Sequence, residues 1–341
     1  MRRTLTDIAA ELNVSPMTVS RALRGAKGVS KETIARVREY AQQVNYRPNL
    51  VARSLVAKRT NAFGIIVPNL RHSFWLDMVR GVEQVARKAG YHVLLSHSND
   101  DPELESEEIG TLVSRRVDAL LVASTDPDQN AELMRDVTAG GVPVILFDRY
   151  GEQIATPGVY ADDFGGAAQA TRHLVELGYR RIAHLTGDLC YSPAQNRAAG
   201  YRHVMAEAGL EPVVVEGQFG EENGYRGMLR LLDSCDVEAV FVSHDPSAIG
   251  ALRAAIDRGL RVPEDIALVG FADMECAGHV AVPLTTIAQP KEELGEALGS
   301  LALGLLSGEA DASARIVLPT RLVVRRSCGA YLRSHVGSTS L

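Results

Sequence analysis

The 341-residue chain predicts a small all-α head, built as a helix-turn-helix with a short hinge helix behind it, followed by a larger α/β core of two subdomains. Three observations carry this. Residues 4–46 hold three apolar-periodic segments separated by turn residues. From residue 62 onward, short strand-like apolar runs alternate with amphipathic helical ones, the pattern of parallel sheets wound with helices. The charge changes sign between the two parts: residues 1–60 carry 12 Lys/Arg against 4 Asp/Glu, a net of +8, and the remainder 24 against 38, a net of −14.

The first helix runs from Thr4 to Leu12, with Leu5, Ile8, Ala9 and Leu12 on one face. Thr4 followed by Asp7 makes a capping box. Asn13 and Val14 turn the chain. Ser15-Pro16 opens the second helix, serine as cap and proline at the first helical position. Val19, Ala22 and Leu23 form its inner face, and Gly25, Gly28 and Val29 lie in the next loop. Ser30 caps a longer third helix with Ile34, Val37, Ala41 and Val44 inside. Arg47-Pro48 ends it, because a residue before proline is pushed out of the helical region. A short helical stretch follows from Asn49 to Val56, and Lys58-Arg59-Thr60-Asn61 reads as linker.

In the core, strands are expected at Phe63–Val67, His92–Ser96, Ala119–Ala123, Val142–Phe147, Ile182–Leu185, Val213–Glu216, Ala239–Ser243 and Ile266–Gly270. Helices such as Leu76–Ala89 and Ala168–Leu177 lie between them. About 270 residues exceed what one such sheet holds, so two subdomains are expected. The tail, residues 331–341, is short and polar and lacks a leucine heptad, so a tail-built tetramer is not expected.

Composition excludes several classes. The chain is 46% hydrophobic and 23% charged, as soluble globular proteins are. No apolar run reaches the roughly 18 residues of a membrane span, and no secretory pattern opens the chain, so a cytoplasmic location is expected. Cys190, Cys235, Cys276 and Cys328 are over 40 residues apart with no C-x-x-C, so they read as packed or idle thiols, not a zinc or redox site. No phosphate-binding, dinucleotide, zincin or nucleophile-elbow motif is present, which argues against an enzyme and implies no cofactor and no metal.

A basic head on an acidic body points to a polyanion. Removing the apolar face of the second helix leaves Pro16, Met17, Thr18, Ser20, Arg21 and Arg24. A major groove admits one helix, whose N-terminal residues meet base edges. Arg21 can contact a guanine with two hydrogen bonds, Thr18 a phosphate or base, and Met17 a thymine methyl. Lys27, Lys31 and Arg36 suit backbone phosphates. A three-helix bundle used for protein contacts is the competing reading.

The run Thr4-Leu5-x-Asp7-Ile8-Ala9, Val14-Ser15-x-x-Thr18-Val19-Ser20-Arg21-x-Leu23, Val29-Ser30-x-x-Thr33, Asn45-Tyr46-x-Pro48-Asn49 and Ala52-Arg53-Ser54-Leu55 resembles the lactose-repressor/galactose-repressor (LacI/GalR) family. The likeness is dense over about 60 residues, and the downstream alternation fits the family's core, two Rossmann-like subdomains similar to periplasmic binding proteins. The resemblance implies that Thr4, Ser15, Pro16, Met17, Thr18, Ser20, Arg21, Arg24, Lys27, Asn49, Ala52, Arg53 and Leu55 contact DNA. It also implies that the hinge folds only on an operator, paired with its copy from a second subunit. Leu55 then matches the leucine that wedges into the minor groove, against the plainer reading of a buried linker residue. Ala52 would let two hinge helices approach.

The same resemblance places an effector in the cleft between subdomains, at the C-terminal ends of the strands. Asn69, Asp148, Arg197 and Gln289 match its contacts, with Arg149 beside Asp148. Phe74 and Trp75, the only tryptophan, are candidates to stack on a ligand or simply to pack the core. For Asp148 and Arg197, structural ion pairing is the alternative. His244-Asp245 and Gly270-Phe271-Ala272-Asp273 depart from the family's Asn-Asp and Gly-Phe/Tyr-Asp-Asp, so His244 and Asp273 are candidates while Ala272 removes one acidic contact.

The expected organisation is therefore a DNA-binding domain over 1–47, a hinge and linker over 48–61, and an effector-binding core over 62–330. One subdomain takes about 62–160 and 290–320, the other about 161–289 and 321–330. The expected function is a sequence-specific transcriptional regulator, usually a repressor, binding a pseudo-palindromic operator as a homodimer and switched by a small molecule, most naturally a sugar or its derivative. A nucleobase or nucleoside corepressor, and an activator, remain alternatives. A solute-binding protein would share the core but not the basic head.

Overall fold

The computed structural model describes residues 3–25, 28–46, 59–71, 73–151 and 153–333; the side chain of Arg24 is also outside that set. Lys27, the hinge stretch Pro48–Val56 with Asn49, Ala52, Arg53 and Leu55, and residues 334–341 therefore lie outside the described residues. The chain forms two compact units, Met1–Thr60 and Asn61–Leu341.

In the first unit three helices follow their caps. Helix α1 (Leu5–Leu12) starts at Thr4, whose hydroxyl accepts from Asp7 N while Asp7 accepts from Thr4 N at 2.8 Å, the expected capping box. It stops at Asn13, φ 52, a left-handed position that asparagine tolerates. Helix α2 (Pro16–Arg24) starts at Ser15, which accepts from Thr18 N at 3.0 Å, and ends at Gly25, φ 66. Helix α3 (Lys31–Gln43) starts at Ser30. Ile8, Val19, Ala22 and Val37 are fully buried between them and form a small core.

The second unit contains two six-stranded sheets. The first has the order β11-β5-β4-β3-β1-β2 and is parallel throughout: β1 (Ala62–Val67), β2 (His92–His97), β3 (Ala119–Val122), β4 (Val144–Phe147), β5 (Gly158–Ala161) and β11 (Arg315–Leu318). The second has the order β12-β10-β9-β8-β6-β7: β6 (Ile182–Leu185), β7 (Val213–Val215), β8 (Ala239–Val242), β9 (Ala267–Ala272), β10 (Thr285–Ala288) and β12 (Arg321–Val323), the last antiparallel to β10. Helices α4 (Ser73–Lys88), α5 (Pro102–Ser114), α6 (Ala131–Ala139) and α11 (Lys291–Ser307) serve the first sheet. Helices α7 (Asp163–Glu176), α8 (Ser192–Glu207), α9 (Glu221–Ser234) and α10 (Asp245–Asp257) serve the second, and a short α12 (Ala330–Arg333) closes the described chain.

The central strands β1, β3, β4, β8 and β9 are buried along their whole length, as parallel strands covered on both faces must be. The chain crosses between sheets three times: after β5, after β10, and between β11 and β12. Both sheets thus direct C-terminal strand ends toward one cleft.

Four strands escape the sequence reading. β5 opens on glycine behind Pro157, β10 is half threonine, and β11 and β12 are edge strands that begin with arginine. None presents an apolar run long enough to stand out. Helix α4 also starts three residues earlier than expected, so Phe74 and Trp75 are helical residues. No helix of the described residues is long and apolar enough to cross a membrane.

Candidate DNA-contacting helix and ligand cleft

The described part of α2 and its cap carry six of the residues named for DNA: Ser15, Pro16, Met17, Thr18, Ser20 and Arg21. Met17 is 62% exposed on the outer face of α2. Pro16 and Arg21 are exposed, and Arg21 makes no hydrogen bond or ion pair among the described residues. Ser15 and Thr18 are joined hydroxyl to hydroxyl at 2.8 Å, part of the cap. A hydroxyl has one donor and two acceptor sites, so both keep capacity for a phosphate. Thr4 serves the α1 capping box, and Ser20 is half-buried. Arg36 reaches back to the Leu12 carbonyl at 3.5 Å. Lys31 is exposed.

In the second unit a cleft of about 730 Å³ opens where strand ends of both sheets meet. Seven of the eight residues expected to hold a ligand line it: Asn69, Phe74, Trp75, Asp148, Arg197, His244 and Gln289. Asp273 does not. Its carboxylate pairs with Arg325 at 2.7 Å, and Ala272, one residue earlier, faces the cleft instead.

Asp148 follows β4 in the left-handed region at φ 63. That sharp turn aims its carboxylate into the cleft, where it accepts no hydrogen bond among the described residues. Burial raises its pKa above the usual carboxylate range, and the nearby Arg149 and Arg197 oppose that rise. Arg149 is held by Asp100 at 3.0 Å and lies 3.9 Å over the Tyr191 ring, while Asn69 donates to the other Asp100 oxygen at 3.1 Å.

Arg197 is 4% exposed and firmly engaged. It meets Asp163 at 2.7 Å, donates to the Ser243 carbonyl at 2.6 Å and stacks 3.9 Å over Phe271. The Asp163 carboxyl is still pushed up to about 6, because burial outweighs the guanidinium. Gln289 is 5% exposed with its Nε2 unpartnered, a buried donor aimed at a polar cleft. His244 precedes α10 and meets Phe219 edge to face.

Trp75 combines both roles weighed for it. It packs edge-on against Phe147 and Phe74 within the core, and one side of it forms cleft wall. The sequence reading did not name Arg71, Asn99, Asp100, Asp188, Tyr191, Phe219, Glu221, Glu222 or Asn223, which also line the cleft. The signal was available: nearly all follow the C-terminal end of a strand. The lining carries three arginines against five carboxylates, and two of the arginines are already paired.

A family model described as bacterial regulatory proteins, lacI family, matches residues 4–49, and a periplasmic binding protein-like domain matches residues 171–328. The HTH-type transcriptional regulator DegA of Bacillus subtilis is 30% identical over 331 residues, 96% of this chain and 98% of that protein. The ribose operon repressor of Haemophilus influenzae is 32% identical over 95% of this chain and 98% of its own length. The transcriptional repressor PurR of Klebsiella pneumoniae is 34% identical over 95% of this chain and 96% of its own length. Among solved structures, the lac repressor dimer bound to operator and an anti-inducer superposes with a TM-score of 0.87 at 29% identity, covering 96% of this chain and 99% of that one. The regulator CelR in complex with cellobiose gives 0.74 at 32% identity, covering 96% and 100%.

Proposed function

This chain belongs to the lacI family of bacterial regulatory proteins, and we propose that it is a transcriptional repressor that binds a pseudo-palindromic operator as a homodimer and is switched by a neutral, sugar-like ligand in the core cleft. The carrying observation for DNA is the outer face of α2: an exposed methionine and an exposed arginine that has no partner among the described residues, beside a capped helix N-terminus. The net charge of +8 on residues 1–60 supports the same reading, since phosphate neutralisation supplies most non-specific affinity. A solved relative, the lac repressor, is a dimer on its operator, and two-fold symmetry matches a palindrome.

For the ligand, the cleft offers the Asp148 carboxylate, which accepts no hydrogen bond among the described residues, and the Gln289 amide, whose Nε2 has no partner among them, beside aromatic walls. Carboxylates and amides grip hydroxyls, and aromatic faces cover the apolar side of a sugar ring. Two of three arginines are committed, so the cleft is poorly equipped for a phosphate. The volume lies within the roughly 300–1,000 Å³ of ordinary ligand pockets. A flat nitrogenous base is the second reading, favoured by the Tyr191 and Phe219 rings, tilted 30° at 6.3 Å. The chain is read as a cytoplasmic regulator without enzymatic activity.

Two measurements test this. Selection from random duplex DNA with the purified chain should return a two-fold sequence, and recovery of no preferred site would remove the repressor reading. A thermal-shift panel of neutral sugars, sugar phosphates and nucleosides should respond to the sugars. A ligand at 100 times its Kd adds about 2.7 kcal/mol. A response confined to phosphates or nucleosides would replace the sugar assignment while leaving the DNA reading intact.

A further inference from the structure

The halves of the core are joined by three chain crossings, and two of these are tied to each other. Asp162 N donates to Leu318 O at 2.9 Å, and Thr320 Oγ1 donates to Asp162 O at 3.2 Å. The crossing after β5 and the crossing between β11 and β12 are therefore joined to each other. The third runs through Gln289 and Pro290, and proline has no N–H to offer a neighbour. Its tie is made by a side chain. Lys291, the first residue of α11, turns its ammonium back to the carbonyls of Ala272, at 3.1 Å, and Asp273, at 2.7 Å.

Both carbonyls belong to strained backbone at the end of β9. Ala272 has φ 114 and Asp273 φ 49, a region that non-glycine residues keep only when their surroundings hold them there. The side toward the second sheet is pinned by Arg325 on Asp273 and by Met274 N on Asp245 at 2.8 Å. On the other side Ala272 and Met274 are buried in one apolar cluster with α11 and the first sheet, and Lys291 adds a charged hold from α11. A cation at a helix N-terminus opposes the helix dipole, so this lysine is placed against the local preference of α11 and is offset by its two carbonyl partners.

We propose that Lys291 is a positioning residue of the cleft: its ammonium ties α11 to the end of β9, and so sets the angle between the two halves and the direction in which Gln289 presents its amide. Ala272 and Gln289 both line the cleft, so a ligand touching them bears on both ends of this tie. The functional meaning rests on the cleft being a ligand site; the test requires no ligand.

The full chain is compared with Lys291→Met, which keeps the aliphatic stem, and Lys291→Arg, which restores a cation. Amide exchange is followed over residues 270–276, and acrylamide quenching is read on Trp75, the sole tryptophan, 6% exposed in the cleft wall. Loss of a charged hydrogen bond should speed exchange at Asp273 and Met274 roughly tenfold and raise the quenching constant about twofold, with exchange in β3 unchanged. Lys291→Arg should restore most of both. Faster exchange without a change in quenching reduces Lys291 to a fastener of the strand end and overturns the proposal, as does no change in either. Should Lys291→Met fail to fold, Lys291→Gln, neutral and shorter, is read against the same two outcomes.

Discussion

Asp148 and Arg197 are both charged residues of the cleft, yet they call for different experiments. Asp148 accepts no hydrogen bond among the described residues, though Arg149 and Arg197 lie near it, and its left-handed backbone is one that asparagine also adopts readily. Asp148→Asn keeps that backbone and removes a charge that burial disfavours, so it should not lower the melting temperature. It should remove most of the thermal stabilisation given by whichever sugar scores in the panel; an undiminished shift would move the ligand away from β4. Arg197→Ala is the poorer probe. It strands Asp163 buried and unpaired, at about 3–5 kcal/mol, so lost ligand response would only report a damaged fold. On the head, Arg21 makes no contact within the described residues, so Arg21→Ala should spare stability. Its removal should cost about 1–3 kcal/mol on the preferred site and little on random DNA. Equal weakening on both would make Arg21 a phosphate contact.

At the level of elements, α9 and α10 touch through paired glycines. A Cβ on Gly224 would stand 1.9 Å from the Ser247 carbonyl oxygen, and one on Gly250 1.8 Å from that of Glu221. Glu221 opens α9 and, with Gly220 to Asn223, borders the cleft. Gly250→Ala should thus destabilise the core by about 1–3 kcal/mol through overpacking. Urea unfolding measures the first effect. It should also weaken the ligand by displacing the start of α9, and isothermal titration with the scoring sugar measures that second effect. These glycines are invisible to a periodicity reading, because nothing in the local sequence says which helix lies opposite. The caps are the reverse case: Thr4, Ser15 and Ser30 act within four residues, so local sequence suffices to place α1, α2 and α3. Among strands, β1, β3, β4, β6, β8 and β9 announce themselves through buried apolar runs. The short β5 and β10 and the edge strands β11 and β12 are strands because of their neighbours. Seven cleft residues were legible because they follow strand ends or match a family pattern. Asp273 was misplaced because its partner, Arg325, is 52 residues away along the chain. Tyr191, Phe219 and Glu221 were missed because the cleft draws on strand ends of both sheets, and the pattern quoted did not reach all of them.

For the whole molecule, the core buries more carboxyl groups than it fully compensates. Burial raises the pKa of Glu105, Asp148, Asp163 and Asp245, the last to about 7, because Thr286 and Met274 N offset only part of its desolvation. A raised acid pKa means that the folded state holds a proton which the unfolded state, near 3.8, has already released. The stability tied to Asp245 is therefore complete below about pH 4 and is lost as pH rises through about 7. His184, fully buried between Tyr201 and Phe241, works in the opposite sense. Burial lowers it to about 3, so its contribution is present above 6.5 and fades on acidification. These opposed slopes make the raw pH profile of the chain a poor witness, and the informative quantity is a difference. Between pH 6.5 and 8 the wild type should lose more unfolding free energy than Asp245→Asn, by on the order of 1 kcal/mol, the linkage expected of one carboxyl with a folded pKa of about 7. Urea titrations at the two pH values supply the four numbers, and the His184 contribution cancels because both proteins share it. Parallel losses would mean that Asp245 is ionised throughout, with Lys291 and its two donors compensating the charge in full. Because Asp245 pins Met274 beside the carbonyls that Lys291 holds, a confirmed difference would also place a neutral-range proton at the junction of the two core halves.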